Sequence, residues 1–210
     1  MIYLFVLTVL AYLMGSIPTA YIFGKVLRGI DIREHGSGNA GATNVFRVIG
    51  LVPGIIVLVL DLLKGAVSVT VLPAVLGRII PDNGVSSYGY AYILPGVAAI
   101  AGHIWTVFLR FKGGKGVATA AGVMAGLAPG ILLICLIIWG IVLTIWGYVS
   151  LASIAAAVAL PFFALAMGKS LDFILLCAVI CLVGIYSHRS NIKRLLQGTE
   201  KKVLRFKKDR

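Results

Sequence analysis

Charge is what this sequence lacks most. Charged residues fill 12% of its 210 positions, against about 25% in a soluble domain, too few to coat a water-facing surface of this size. Acids are the scarcer sign, with seven Asp and Glu against nineteen Lys and Arg and a net charge of +12. Cysteine is limited to Cys135, Cys177 and Cys181, each inside an apolar run, so no disulfide framework is expected. The only histidines are His35, His103 and His188. No His/Cys/Asp cluster has metal-ligand spacing, so neither a metal nor a cofactor is expected. What is abundant is apolar: 60% of residues are hydrophobic and mean hydropathy is +1.04. Runs approaching about 20 apolar residues recur, the length a helix needs to cross a bilayer. The fold class that follows is an all-α integral membrane protein, because a helix satisfies its own backbone in hydrocarbon. The cations lie between the apolar runs, which the positive-inside rule explains better than nucleic-acid binding. Membrane lipid is the expected surroundings, and no nucleic-acid partner is expected.

Seven spans are read in one polytopic domain covering 1–210: residues 2–23, 48–76, 90–109, 117–127, 131–146, 149–167 and 171–186. The first lacks a basic leader and has only a weak cleavage site at residues 15–20, so it reads as a span and not a removable signal. The second is interrupted by Pro53, Gly54, Asp61 and Lys64. The fourth is short for a crossing and is followed by Pro129-Gly130, a break. With the N-terminus outside and the C-terminus cytoplasmic, sixteen of the nineteen cations fall on the cytoplasmic side. Arg78 and Lys169 fall in outer connections, including a turn-rich loop at 78–89, and Lys64 lies inside a span. This asymmetry selects the orientation, and it requires the short fourth span to cross. There is no internal repeat of the kind secondary transporters carry. The basic residues 201–210 are expected to be solvated near anionic lipid.

Three polar clusters share the predicted cytoplasmic side. Residues 36–47 combine Ser37, Gly38, Asn39, Gly41, Thr43 and Asn44 with Arg47. Small and hydrogen-bonding residues of this kind cap a helix or close over a ligand, and Arg can grip a phosphate with two parallel bonds. Residues 110–116 hold Arg110, Lys112, Gly113, Gly114, Lys115 and Gly116. Glycines in a loop leading to a helix N-terminus offer amides and cations to one anion. The loop is not a Walker A motif, since Leu109 stands six residues before Lys115 and Gly116 follows it. An ordinary positive-inside loop is the alternative. Residues 187–200 continue the last span, with His188 and Asn191 three apart on one helical face, and Lys193 and Arg194 as lipid-surface cations. Within spans, His103 is either a satisfied structural group or part of the same cavity. Asp61 and Lys64, three apart, are either a structural ion pair or functional. Ser150 and Ser153, also three apart, either donate to a ligand or bond their own backbone. An enzyme acting on a phosphate ester at the membrane surface fits this placement. A transporter for phosphate or an organic phosphate, and a subunit docking an acidic partner, are the rival readings.

Several stretches, in order along nearly the whole chain, carry a resemblance. They are Gly15-Ser16-Ile17-Pro18, Ser37-Gly38-Asn39-Ala40-Gly41-Ala42-Thr43-Asn44 with Arg47, Asp61-Leu62-Leu63-Lys64-Gly65, Gly102-His103, Lys112-Gly113-Gly114-Lys115-Gly116-Val117-Ala118-Thr119, and His188-Arg189-x-Asn191-Ile192-x-Arg194-Leu195. Together they resemble the bacterial acyl-phosphate:glycerol-3-phosphate acyltransferases, the PlsY family. The resemblance implies a seven-helix enzyme of the bacterial inner membrane with its active site at the cytoplasmic face. It implies acyl transfer from acyl phosphate to the 1-hydroxyl of sn-glycerol 3-phosphate, giving lysophosphatidic acid and inorganic phosphate, and contact with the enzyme that makes acyl phosphate. By the same resemblance, Arg47, Lys115, Ser153, His188 and Asn191 hold glycerol 3-phosphate, and His188, Lys115, Arg47 and Asn191 are the catalytic set. Ser37, Asn39, Thr43 and the glycine loop surround the acyl-phosphate head, with Gly38, Gly41, Asn44 and His103 also lining the substrate site. No His-x4-Asp box is present, since Ala40, Phe108 and Lys193 stand five residues after the three histidines. This points away from the acyltransferases that draw on acyl-CoA or acyl-carrier protein.

Overall fold

A computed structural model describes residues 1–81, 84 and 90–203. The remainder of the 78–89 loop and the tail from 204 lie outside the described residues. Among the described residues all regular structure is helical. The chain forms two compact units, Met1–Leu127 and Ala128–Arg210.

The first unit begins with α1 (Ile2–Ser16) and α2 (Thr19–Arg28), a 3-10 turn at Ile32–Glu34, α3 (Ala42–Val48), α4 (Leu51–Val69) and α5 (Val71–Leu76). It ends with α6 (Tyr90–Ile104), a second 3-10 turn at Val107–Leu109, and α7 (Val117–Leu127). The expected single helix over 2–23 is broken. Pro18 has no N–H to give the Met14 carbonyl, and Ile17 before it turns to φ −55°, ψ 116°, outside the helical region as a pre-proline residue prefers. Two carbonyls at the break are served by side chains from elsewhere. The Thr106 hydroxyl donates to Ser16 O at 2.5 Å, and the Lys64 ammonium donates to Ile17 O at 2.5 Å. Such compensation is what allows an interrupted helix at membrane depth. The expected helix over 48–76 is also divided, because Pro73 cannot donate to Val69 O.

Two seams hold this unit. In one, Gly15 and Gly102 let α1 and α6 touch backbone to backbone, against Ala99 and Tyr12. In the other, Gly65 and Gly122 do the same for α4 and α7, against the carbonyls of Thr119 and Leu62. Without a hydrophobic drive between helices in lipid, close approach of this kind supplies the dispersion that holds them. At the far end Tyr3 donates to Pro73 O at 3.1 Å, within a cluster of Tyr3, Leu7 and Leu76.

The second unit is α8 (Pro129–Trp146), α9 (Val149–Ala166), α10 (Leu171–Ser187) and α11 (Arg189–Leu196). Pro129 sits at the first turn of α8, and Gly147 in the left-handed region at φ 77° ends it. α9 packs against both α8 and α10. Cys135 and Cys177 are buried and Cys181 is half-buried, as small apolar side chains. The 187–200 stretch does not continue α10 as expected: α11 turns away by 58° at His188. The backbone N–H of His188 is shared between Gly184 O and Ile185 O at 3.1 Å each, and its ring Nδ1 lies 2.8 Å from Gly184 O. A side chain bonded back into the last turn is a recognised cause of such a bend.

Five helical stretches are long and apolar enough to cross a membrane: Ile2–Arg28, Leu51–Val69, Ala91–Leu109, Pro129–Trp146 and Val149–Ala166. The bent pair of α10 and α11 makes a sixth if counted as one, and Val117–Leu127 is a shorter apolar helix. This is a multi-pass membrane protein.

Candidate active site

The loop from α2 to α3 is built on two polar anchors. Asp31 caps the 3-10 turn and accepts from Arg33 at its backbone N (3.0 Å), Nε (3.0 Å) and Nη2 (2.7 Å). The Arg33 hydrogen bonds, working against burial, lower the Asp31 carboxyl to about 2. Asn44 is 1% exposed, and its amide organises the loop from beneath. Its Oδ1 accepts from the Ser37 N–H at 2.8 Å, and its Nδ2 donates to Ile32 O and His35 O at 2.9 Å each. Asn44 therefore shapes the loop, while Ser37, Gly38 and Arg47 are exposed and Asn39, Gly41 and Thr43 are half-buried.

The glycine loop is tightly folded. Arg110 and Phe111 both adopt left-handed backbone, at φ 53° and 61°, a conformation that costs side-chain-bearing residues energy. Phe111 N–H bonds to Thr106 O at 2.8 Å and Lys112 N–H to Leu109 O at 3.2 Å. Gly113 and Gly114 then donate to Ile104 O and His103 O at 3.0 Å each. Those two amides thus satisfy carbonyls at the end of α6, and the expectation that they face an anion is corrected. Gly116, at φ 79°, accepts from Ala120 N–H at 2.7 Å and so starts α7. The first-turn N–H groups of α7 have no intrahelical acceptor and carry the positive end of its dipole. Lys112 is exposed and Lys115 half-buried.

Behind this loop is a buried polar group. Lys64 donates to Asp61 at 2.7 Å and to the Thr19 hydroxyl at 3.2 Å, and Thr19 donates to Asp61 at 2.6 Å. His103 Nδ1 lies 3.7 Å from the same carboxylate. Thr19, Lys64 and His103 line a small cleft with Ser16, Ala40, Thr106, Gly113 and Gly114. The Gly114 Cα position also faces Ala40 O, so the 36–47 loop and the glycine loop meet here. His103 thus belongs to the cavity behind the glycine loop.

In the second unit the 187–200 stretch folds around an acid that sequence reasoning passed over. Glu200 accepts from Asn191 Nδ2 at 2.6 Å, Ser150 Oγ at 2.8 Å and Arg194 Nε at 2.6 Å. Burial pushes the Glu200 carboxyl up, but these donors outweigh it and hold it below its ordinary value. Its only sequence signal is being a rare acid in a basic tail. Ser153 donates to Val149 O at 2.8 Å and accepts from Trp139 Nε1 at 3.2 Å. His188 and Asn191 are buried. Because a carbonyl only accepts, the His188 ring carries its proton on Nδ1 toward Gly184, and in the neutral form Nε2 is the acceptor.

Residues 5–198 match the model of a family described as glycerol-3-phosphate acyltransferase. The chain belongs to this family. It is 41% identical to a glycerol-3-phosphate acyltransferase of Chlorobaculum tepidum, over 93% of this chain and 94% of the relative. It is 46% identical to one of Geotalea daltonii, over 93% and 95%. Among solved structures it is similar to a crystal structure of PlsY, an integral membrane glycerol 3-phosphate acyltransferase, in its glycerol 3-phosphate form. The TM-score is 0.84, with 39% identity over 96% of each chain. The lysophosphatidic acid form of the same enzyme gives a TM-score of 0.81 at 39% identity, over 95% of this chain and 94% of that one. The glycine loop and the 36–47 loop both fall within the stretch matched by the glycerol-3-phosphate acyltransferase family.

Proposed function

We propose that this protein acylates sn-glycerol 3-phosphate at its 1-hydroxyl, with acyl phosphate as donor, releasing lysophosphatidic acid and inorganic phosphate. The observation that carries the reading is the likeness, along 96% and 95% of the chain, to an acyltransferase solved in a glycerol 3-phosphate form and a lysophosphatidic acid form. The donor assignment is supported by the missing His-x4-Asp box and by the cationic character of the first unit's loops. The hydroxyl oxygen attacks the acyl carbon, the bond from that carbon to phosphate oxygen breaks, and phosphate leaves with the electron pair. The hydroxyl proton passes to His188 Nε2 or to a donor phosphate oxygen. Two anionic substrates repel, and cations offset that repulsion while stabilising charge on the departing phosphate. Holding both substrates in line supplies much of the remaining acceleration.

In this reading Arg47, Lys115, Ser153, His188 and Asn191 hold glycerol 3-phosphate, and Ser37, Asn39, Thr43, Lys112 and the α7 N-terminus hold the acyl-phosphate head. The 1–210 chain acts as one domain of seven spans in the bacterial inner membrane, N-terminus outside, with this site at the cytoplasmic face. There it receives donor from the enzyme that makes acyl phosphate. The test uses purified protein in lipid with labelled glycerol 3-phosphate, given palmitoyl phosphate or palmitoyl-CoA. Product from the phosphate alone, reduced about a hundredfold or more in Lys115→Ala, is the expected result. Product from the CoA ester alone overturns the donor. No product from either, with folded protein, overturns the function.

A further inference from the structure

We propose that Asp61, Lys64 and His103 are positioning residues that set the place of the glycine loop. The inference rests on the reading that this loop serves a substrate phosphate. Three observations carry it. First, the Lys64 ammonium has three N–H groups and three acceptors, Ile17 O, Thr19 Oγ1 and Asp61 Oδ1. The bonds to Ile17 O and Thr19 Oγ1 fix α4 to the break between α1 and α2, and the bond to Asp61 within α4 holds the ammonium in place. Asp61 and Lys64 are 1% and 6% exposed, so the geometry is not loosened by solvent. Second, the His103 ring spans from this pair to the loop. Its Nδ1 faces Asp61 at 3.7 Å, and its Nε2 lies against Gly114, where a Cβ would collide with it. Third, the backbone of the same residue receives the Gly114 N–H. The imidazole is therefore a spacer between a rigid ion pair and the residue immediately before Lys115.

In this proposal the trio acts through Gly114 on Lys115 and the start of α7, and not by chemistry of its own. A displacement of about 1 Å in a substrate-holding group costs on the order of a hundredfold in kcat/KM, so a spacer under the loop is enough to govern it. The trio is more than a fold-stabilising pair because its third member, facing Asp61 through Nδ1, lies against the loop through Nε2.

The experiment compares His103→Ala, His103→Gln and the double change Asp61→Leu with Lys64→Met in the full-length protein in lipid. The double change replaces the buried pair with apolar side chains of similar size, which is often neutral for stability, so it tests geometry where Lys64→Met alone would strand a buried carboxylate. Three readouts are taken: steady-state kinetics for both phosphate substrates, thermal midpoint, and amide hydrogen exchange at 113–114. The expected result for His103→Ala and the double variant is a rise of about tenfold or more in a phosphate substrate's KM. The kcat changes little, the midpoint of His103→Ala changes little while that of the double variant falls because Ile17 O loses its donor, and exchange at 113–114 is faster in both. His103→Gln recovers at least half of the KM loss. Loss of kcat at constant KM in both His103 variants overturns the proposal in favour of direct chemistry. Unchanged exchange and KM, or activity lost only in step with folded fraction, overturns it in favour of structural support alone. Failure of the wild-type protein to make product overturns the function instead, and the exchange readout still decides whether the trio holds the loop.

Discussion

Asn191 donates to Glu200 through a 2.6 Å hydrogen bond. Asn191 is 5% exposed, and the same Glu200 oxygen also receives Ser150. The acid therefore fixes the plane and direction of the Asn191 amide, and through Arg194 it closes the turn that follows α11. An amide is only as well placed as the group behind it.

Replacing that acid removes three hydrogen bonds at once. Glu200→Ala is expected to lower stability by about 2–5 kcal/mol, since the donors it leaves are partly buried and one is charged. Glu200→Gln is expected to keep part of the stability and lose about tenfold or more in kcat/KM, because one carboxylate acceptor oxygen becomes an amide donor. Thermal unfolding and turnover measured on the same preparation separate the two effects.

The Glu200 carboxyl is held below its ordinary value of 4.5 by its donors. A carboxylate whose folded value is depressed adds stability above its unfolded value, and loses it as pH falls from there through the folded value. The turn after α11 is thus expected to be fully closed at pH 6 and to open below about pH 4.5. In Glu200→Gln this acid-dependent opening is expected to disappear. A fluorophore attached to Gln197→Cys, exposed at the turn, would report it.

Asn44 sits under the 36–47 loop with Ser37, Ile32 and His35 as its partners. Asn44→Ala is expected to cost about 1–3 kcal/mol by stranding a buried N–H and two carbonyls. Activity is expected to fall far more than the folded fraction, because Ser37 and Asn39 lose their setting. Ser37→Ala at an exposed position is expected to change the thermal midpoint little.

At the α4–α7 seam a Cβ on Gly122 would overlap the Leu62 carbonyl, whereas at Gly130 nothing lies within 4 Å. Gly122→Ala is expected to destabilise by about 1–3 kcal/mol, and Gly130→Ala is expected to be neutral or mildly stabilising. Thermal unfolding of the two variants in one detergent reads the contrast.

Much of this was legible in the residues, and the reasons for the rest are physical. Apolar length located the helices, and Asp61 and Lys64 at three-residue spacing announced their pair. Pro18 and Pro73 were visible too, but hydropathy averages across a break and reported single spans where the backbone divides. What the pair does beyond itself was not legible, because Ile17 O becomes an acceptor only once Pro18 has interrupted α1 and α4 has packed beside it. The glycine loop shows the same limit. Its composition offered free amides, yet two of them are taken by the carbonyls that end α6, a demand set by helix geometry and not by the loop's own sequence. Glu200 was missed because its three partners come from α9 and α11, and no periodicity links it to them.

The placement of the three thiols has an experimental use. Cys135 and Cys177 are buried and Cys181 is half-buried, all within apolar helices, so a water-confined maleimide is expected to leave the natural chain unlabelled. It is then its own blank for sidedness mapping: one new cysteine gives an unambiguous signal without first removing the native ones. With the N-terminus outside, Lys169→Cys is expected to label in intact cells and Lys193→Cys only after the membrane is opened, both positions being exposed.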